Sequence, residues 1–275
     1  MALRLPGKIS NPADFWAFLL AKRDAISRVP KSRYNVSSYY SESDRYATSK
    51  TAYGYFLDES VDLGALDTSF FSFTKNELEY IDPQQRQLLE VVRECFENAG
   101  EVAYRGKNIG CYVGSFGDDW IENLYHDLQM HGKYTLMTGG DFALANRVLY
   151  EYDLRGPNMS IRTACSSALV CLHEACSAIE RDECSAAIVA GCNLIMSPSM
   201  SIILSAKGVL ALDGSCKSFD AAADGYGRGE AINAIFIKPL QDAVRDGNTI
   251  RVVITGTAVN SDGKTSGVNA PNAMS

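Results

Sequence analysis

A cysteine set between a strand and a long apolar helix constrains this chain more than any other feature. Met159 to Ile161 begins a strand that ends at Cys165, and Ser166 to Arg181 carries apolar residues around most of its circumference. A strand that hands directly to a helix is the building unit of an α/β fold with layered helices and sheet, and this helix reads as a buried one. Cys165 then stands at a helix N-terminus, where unpaired N–H groups favour thiolate over thiol, and its small neighbours leave room for close approach. That is the layout of a nucleophile elbow. On spacing alone a buried structural cysteine fits the position too, since free cysteines are among the most buried residues.

The rest of the chain repeats the alternation. Asn11-Pro12 reads as a helix cap with Pro at the first turn, followed by Phe15, Phe18 and Leu19 at helical spacing over about residues 12–22. Val29 to Glu59 is Ser- and Tyr-rich without periodicity, an ordered loop with aromatic anchors. Asp82-Pro83 opens a strong helix that Asn98-Ala99-Gly100 ends. Ile109–Val113, Ala186–Cys192, Ala231–Ile237 and Val252–Val259 are β-rich apolar runs.

Composition excludes several classes. The 275 residues carry 26 Lys+Arg against 33 Asp+Glu, a net charge of −7, so long-range attraction to nucleic acid or an anionic membrane is not expected. The longest apolar run, Phe15 to Ala21, is far short of the roughly 18 residues that span a bilayer. No apolar segment of signal-peptide type follows the first basic residues, so a cytoplasmic setting is expected and the eight cysteines read as thiols. They form no C-x-x-C pair, the chain has three histidines, and no metal site is expected.

Five segments in order carry a resemblance: DPQQR (82–86), LRGPNMS (154–160), TACSSAL (163–169), KSFDAAADGYGRGE (217–230) and AVNSDGKTSG (258–267). Together they resemble the β-ketoacyl synthase domain of polyketide and fatty acid synthases, most closely the fungal iterative polyketide type. The resemblance implies the thiolase-like fold, two stacked βαβαβ halves in α/β/α/β/α layers. It implies that residues 1–240 or so form the N-terminal half and that about 241–275 begin the C-terminal half, cut short. It implies no directly bound cofactor, with substrates carried as acyl and malonyl thioesters on the phosphopantetheine of an acyl carrier protein. A homodimer, or pairing with a full ketosynthase, is implied as well.

Carried onto these residues, Cys165 is the acyl-accepting nucleophile and its backbone N–H an oxyanion donor, with Thr163, Ala164 and Ser166 around it. Asp224, Arg228 and Glu230 belong to the glycine-spaced loop near the site, where Arg228 and Glu230 could pair. A nucleotide cradle is a poor reading of those glycines, because the Lys-Ser/Thr partner is missing and the loop precedes a strand. Asn260-Ser261-Asp262-Gly263 reads as a turn. Thr138–Tyr150, including Thr138, Phe142 and Asn146, resembles the segment at the dimer interface and acyl tunnel. A helix packed in the core fits it equally, and both readings expect buried Phe142, Leu144 and Val148.

Several positions depart from the commoner pattern. Arg162 stands where most members have Asp, Ala168 replaces a Ser, and Ala231 follows Glu230 where Gly is frequent. The family reaction also uses two histidines, in H-G-T-G-T and N-x-G-H motifs that this sequence does not contain. His173 lies eight residues along the helix from Cys165, roughly 12 Å by helical rise, beyond the ~3 Å reach of a general base. His126 and His131 read as solvated. The opening Met1–Gly7 matches only the tail of the family's first strand motif, a strand expected at the centre of the sheet. These features lead to the expectation that the chain holds its nucleophile but does not condense by itself, with a non-catalytic partner of a full ketosynthase or a truncated gene product as the rival readings.

Overall fold

The computed structural model describes residues 1–126, 129, 132–268 and 270–272. His131 therefore lies outside the described residues. The core is one five-stranded sheet in the order β1-β7-β6-β4-β5. Its strands are β1 (Ala2–Arg4), β4 (Ile109–Ser115), β5 (Asn158–Ile161), β6 (Ala186–Asn193) and β7 (Ala231–Ile237), while β2 (Ser27–Arg28) and β3 (Tyr53–Gly54) form a separate antiparallel pair. β4 runs parallel to both β5 and β6, and β7 runs antiparallel to β6. The β4-to-β5 and β5-to-β6 connections pass through helices, as parallel neighbours require.

Helices cover both faces. On one side α3 (Pro83–Ala99) and α6 (Ala143–Tyr152) bury Leu88, Leu89, Val92, Phe96, Leu144, Val148 and Tyr152 against Ile109, Cys111, Val113 and Ile188. On the other, α7 (Ser167–Glu180) packs Cys171, Ala175 and Ala178 against Tyr112, Ala187 and Val189. The described residues thus form a three-layer α/β/α unit around one main sheet, where the resemblance implied five layers in the whole fold.

The α3 signals act as read. Asp82 accepts from the Gln84 N–H at 2.8 Å, Pro83 opens the helix, and Gly100 ends it at φ 71°, a left-handed conformation that favours glycine. The shorter helices are α1 (Pro12–Leu20), α2 (Lys75–Tyr80), α4 (Asp119–Tyr125), α5 (Thr135–Gly139), α8 (Ser199–Ala206) and α9 (Leu240–Arg245). In the Tyr-rich segment, Val29, Val36, Ala52 and Phe56 make a small core with Ile195, to which Tyr34 and Tyr40 are added. The loop is ordered by those anchors, as expected.

Three expectations need correction. The first strand lies at the sheet edge, not its centre: β1 pairs antiparallel with β7, whose other side is taken by β6. Val252–Val259 forms no strand, and its apolar side chains face outward, Val252 at 76% exposure, because no neighbouring strand among the described residues pairs with it. Helix α7 is buried on one face only, with Leu169 left 71% exposed. Its all-round apolar composition stated how much surface could be buried, whereas the single sheet beneath it covers one stripe.

Candidate active site

Cys165 sits where the elbow reading placed it. β5 ends at Ile161, residues Ala164–Ser166 make one 3-10 turn, and α7 begins at Ser167. Ala164 holds φ at +55°, a conformation that non-glycine residues adopt at a cost, and such strain collects at functional turns. Hydroxyls brace the turn. Ser167 Oγ donates to the Ala164 carbonyl at 2.7 Å and accepts from the Thr163 N–H at 2.8 Å, while Ser166 Oγ donates to the Thr163 carbonyl at 2.8 Å. Cys165 itself is exposed, so the thiol is open to an incoming reactant.

Glycines in the sheet set the elbow's position. Gly114 on β4 and Gly191 on β6 are paired neighbours, and the first turn of α7 rests on both. A Cβ added at Gly114 would stand 2.5 Å from the Ala168 nitrogen, inside any permissible contact. At Gly191 a Cβ would meet the Ala168 methyl at 3.1 Å. Ala168, one of the departures from the family pattern, is therefore a packing contact against bare backbone.

The glycine-spaced loop approaches from the other side. Tyr226 has its phenol raised by burial, with Cys165 adding to the rise and Arg228 opposing it. Gly225, at φ +143°, lets the backbone pass close to Leu210 and Ala211, and the Gly227 N–H donates to Cys216 Sγ at 3.2 Å. Close backbone approach is what these glycines provide.

Arg228 and Glu230 do not pair. Glu230 is buried and takes Arg33, whose Nε and Nη2 donate to its two oxygens at 2.7 and 2.9 Å. The same carboxylate accepts the Leu57 and Ile195 N–H groups at 2.9 and 3.0 Å. Arg228 donates instead to Ser201 Oγ at 2.8 Å, with its guanidinium pKa lowered by burial. Asp224 is exposed and binds Lys217 at 2.6 Å, apart from both.

The Thr138–Tyr150 segment divides. Thr138 is buried, and its carbonyl accepts from the Asp82 N–H at 2.8 Å and from Gln85 Nε2 at 3.1 Å, which ties the segment to the start of α3. Leu144 and Val148 are buried as expected. Phe142 is not: it is 42% exposed, because it caps α6 from outside the helix face that meets the sheet. Asn146 is exposed and accepts from Asn158 on the edge strand β5.

Asp82 is fully enclosed, and burial pushes its carboxyl up to about 6, with the Gln84 hydrogen bonds working against the rise and Asp119 adding to it. His173 Nδ1 lies 2.8 Å from Thr257 Oγ1, a surface contact, and His126 is exposed at the end of α4. Asn260–Gly263, expected as a turn, runs without one, although Gly263 is left-handed at φ +65°. Among the described residues no cluster of three or more His, Cys, Asp or Glu could hold a metal ion. Sequence reasoning missed Arg33, Asp118, Asp141 and Ser167. Ser167 carried a signal, its place in TACSSAL, whereas Arg33 meets Glu230 across 197 positions.

Comparisons agree with this geometry. Residues 1–243 match the model of the "Beta-ketoacyl synthase, N-terminal domain". The chain is 71% identical over 273 residues to the highly reducing polyketide synthase VdtX of Byssochlamys spectabilis, covering 99% of this chain and 12% of that protein. It is 58% identical to the highly reducing polyketide synthase sphB of Aspergillus fumigatus, covering 98% and 11%. The chain thus spans about a tenth of the length of these curated relatives. Among solved structures it is similar to the oxazolomycin ketosynthase domain OzmH KS7 of Streptomyces albus JA3453, with TM-score 0.89, 31% identity, and 98% of this chain covering 47% of that one. The ketosynthase from module 6 of the Bacillus subtilis 168 bacillaene synthase superposes with TM-score 0.85 at 33% identity, covering 99% and 45%. With a thiolase-like α/β unit, a cysteine elbow in the family's segment order and a family match over most of its length, this chain belongs to the β-ketoacyl synthase N-terminal domain family.

Proposed function

We propose that this chain carries the acyl-accepting part of a polyketide ketosynthase, with Cys165 as the residue that takes the acyl group. The exposed thiol, held at the N-terminus of α7 by a strained and braced turn, is the observation that carries the reading. The donor is an acyl thioester on the phosphopantetheine of a carrier protein, and the parent reaction is decarboxylative condensation with a malonyl thioester. The backbone N–H of Cys165 and the N–H groups at the start of α7 are the dipoles proposed to meet the oxyanion that forms during transfer. Thr163, Ala164 and Ser166 shape the turn, while Tyr226 and Arg228 approach from the facing loop. Asp224 and Glu230 act by holding that loop, through Lys217 and Arg33 respectively.

The same reading assigns loading without condensation to these residues, because no described histidine stands by Cys165 and neither family histidine motif occurs in the sequence. We place the boundary between the two halves of the parent fold near residue 240. All eight cysteines are free thiols, which supports a reducing, cytoplasmic setting. Among the described residues no helix is long and apolar enough to cross a membrane. For association, β5 has a neighbouring strand on one side only among the described residues, and Met159 on β5, Phe142 just before α6 and Tyr150 on α6 are exposed. An open strand edge beside apolar side chains suits pairing with a second copy or with a longer ketosynthase.

The test is incubation with an acyl-loaded carrier protein followed by intact-mass measurement. The expected result is one acyl adduct, located on Cys165 and lost in Cys165→Ala, with no β-ketoacyl product when malonyl carrier is added. Adducts spread over several cysteines would sink the nucleophile assignment, and a condensed product would sink the division of labour.

A further inference from the structure

Arg162 lies one residue beyond β5 and three before Cys165, and its contacts join parts of the site that the backbone keeps separate. Its Nη1 and Nη2 donate to Asp118 Oδ1 and Oδ2 at 2.9 and 3.1 Å, a two-pronged pairing. The same Nη1 lies 2.9 Å from Asp141 Oδ2. Asp118 ends the loop that leaves β4, and Asp141 ends the loop that leads into α6. Ser160, on the edge strand, adds a hydrogen bond to the Asp141 carbonyl at 3.1 Å. One planar cation therefore fastens the outgoing ends of β4 and β5 to the start of α6. An ammonium cannot reproduce this, because it lacks the rigid fork of donors.

Two exposed aromatic residues adjoin the fastened carboxylates along the chain. Phe116 is two residues before Asp118, and Phe142 follows Asp141 directly. The Arg162 side chain is 39% exposed, and ion pairs at that exposure contribute little to stability, so their effect falls on geometry. We propose that Arg162 is a positioning residue for acyl loading: by tying Asp118 and Asp141 to the strand end that leads into Cys165, it sets where Phe116 and Phe142 stand along the approach to the thiol. Acyl chains of different length then load with different efficiency. The proposal rests on the reading of Cys165 as the acyl acceptor.

The test uses the full chain with acetyl and decanoyl thioesters of N-acetylcysteamine. In each, the Cys165 thiolate attacks the thioester carbonyl carbon, a new C–S bond forms, the bond to the cysteamine sulfur breaks, and the departing thiolate takes up the proton that Cys165 gave up. Loading is followed by intact mass, with alkylation of Cys165 by iodoacetamide as the measure of the bare thiol. In Arg162→Ala the decanoyl-to-acetyl loading ratio shifts about tenfold while iodoacetamide alkylation changes by less than about twofold, since small displacements act on positioned substrates and not on a small reagent. Arg162→Lys fails to restore the ratio, and Asp141→Asn, which removes one of the two carboxylates and spares the fold, shifts it part of the way. An unchanged ratio in both Arg162→Ala and Asp141→Asn, or full restoration by Lys, overturns the proposal. Failure of both thioesters to load the unaltered chain overturns the Cys165 reading and the positioning role with it, whereas loading with an unchanged ratio overturns Arg162 alone.

Discussion

Helices α3 and α7 flank the same sheet and differ in what they leave open. α3 buries residues on most of its turns, from Pro83 to Ala99, and meets the sheet through Leu88, Val92 and Phe96. Phe96 stacks on Tyr104 at 4.5 Å between ring centres and contacts Tyr152 and Phe236. α7 buries Ser167, Cys171, Ala175 and Ala178, all small, and turns Leu169 outward. The sealed side supplies rigidity, and the side with small contacts lets the elbow approach the sheet closely enough to present Cys165. The most enclosed core and the proposed nucleophile therefore lie on opposite faces of one sheet.

That division can be broken most severely from the sealed side. Phe96→Ala is expected to cost about 3–5 kcal/mol, by the usual cost of emptying an aromatic core site, while the alkylation rate of Cys165 per folded molecule stays within about twofold. Denaturant unfolding and timed alkylation separate the two effects. A comparable loss, about 3–5 kcal/mol, is expected for Arg33→Ala, because the Glu230 carboxylate remains enclosed without its cation. Here the two readouts should move together, since Glu230 anchors the loop that bears Tyr226 and Arg228.

The pH dependence sharpens the comparison. The folded Asp82 carboxyl titrates at about 6 against 3.8 for an ordinary Asp, so the folded state holds this proton more tightly than the unfolded chain. Its contribution to stability is full below about pH 4 and is lost as pH rises through about 6, a difference of about 3 kcal/mol. Asp82→Asn keeps the cap on α3 and removes that loss, so its gain in melting temperature over the parent should be larger at pH 8 than at pH 5. Equal gains at both pH values would show that Asp82 does not carry the effect. The smallest change belongs to the open side: Leu169→Ala should alter stability by no more than about 0.5 kcal/mol. A cost near 2 kcal/mol would mean that the outer face of α7 is covered in solution.

The α3 helix was legible almost to the residue, because caps, Pro83 and Gly100 act locally and need no knowledge of neighbours. The elbow was legible for the same reason, from a strand end, small residues and an apolar run. Phe142 was misread because helical periodicity reports which residues share a face, and Phe142 precedes the helix it was assigned to. Val252–Val259 was misread as a strand because β-rich composition describes suitability for pairing and says nothing about whether a partner strand is present.

By itself the amino-acid sequence determined the α/β class, the main helices with their ends, the place of Cys165 at a strand-to-helix junction and the family. Tertiary structure alone decided that Glu230 takes Arg33 rather than Arg228, that β1 lies at the edge, that one face of α7 stays open and that Arg162 joins Asp118 to Asp141. The physical reason is range. Periodicity and capping are set by residues within a turn or two of one another, whereas a charge finds its partner, and a face its cover, only after the topology has brought distant segments together.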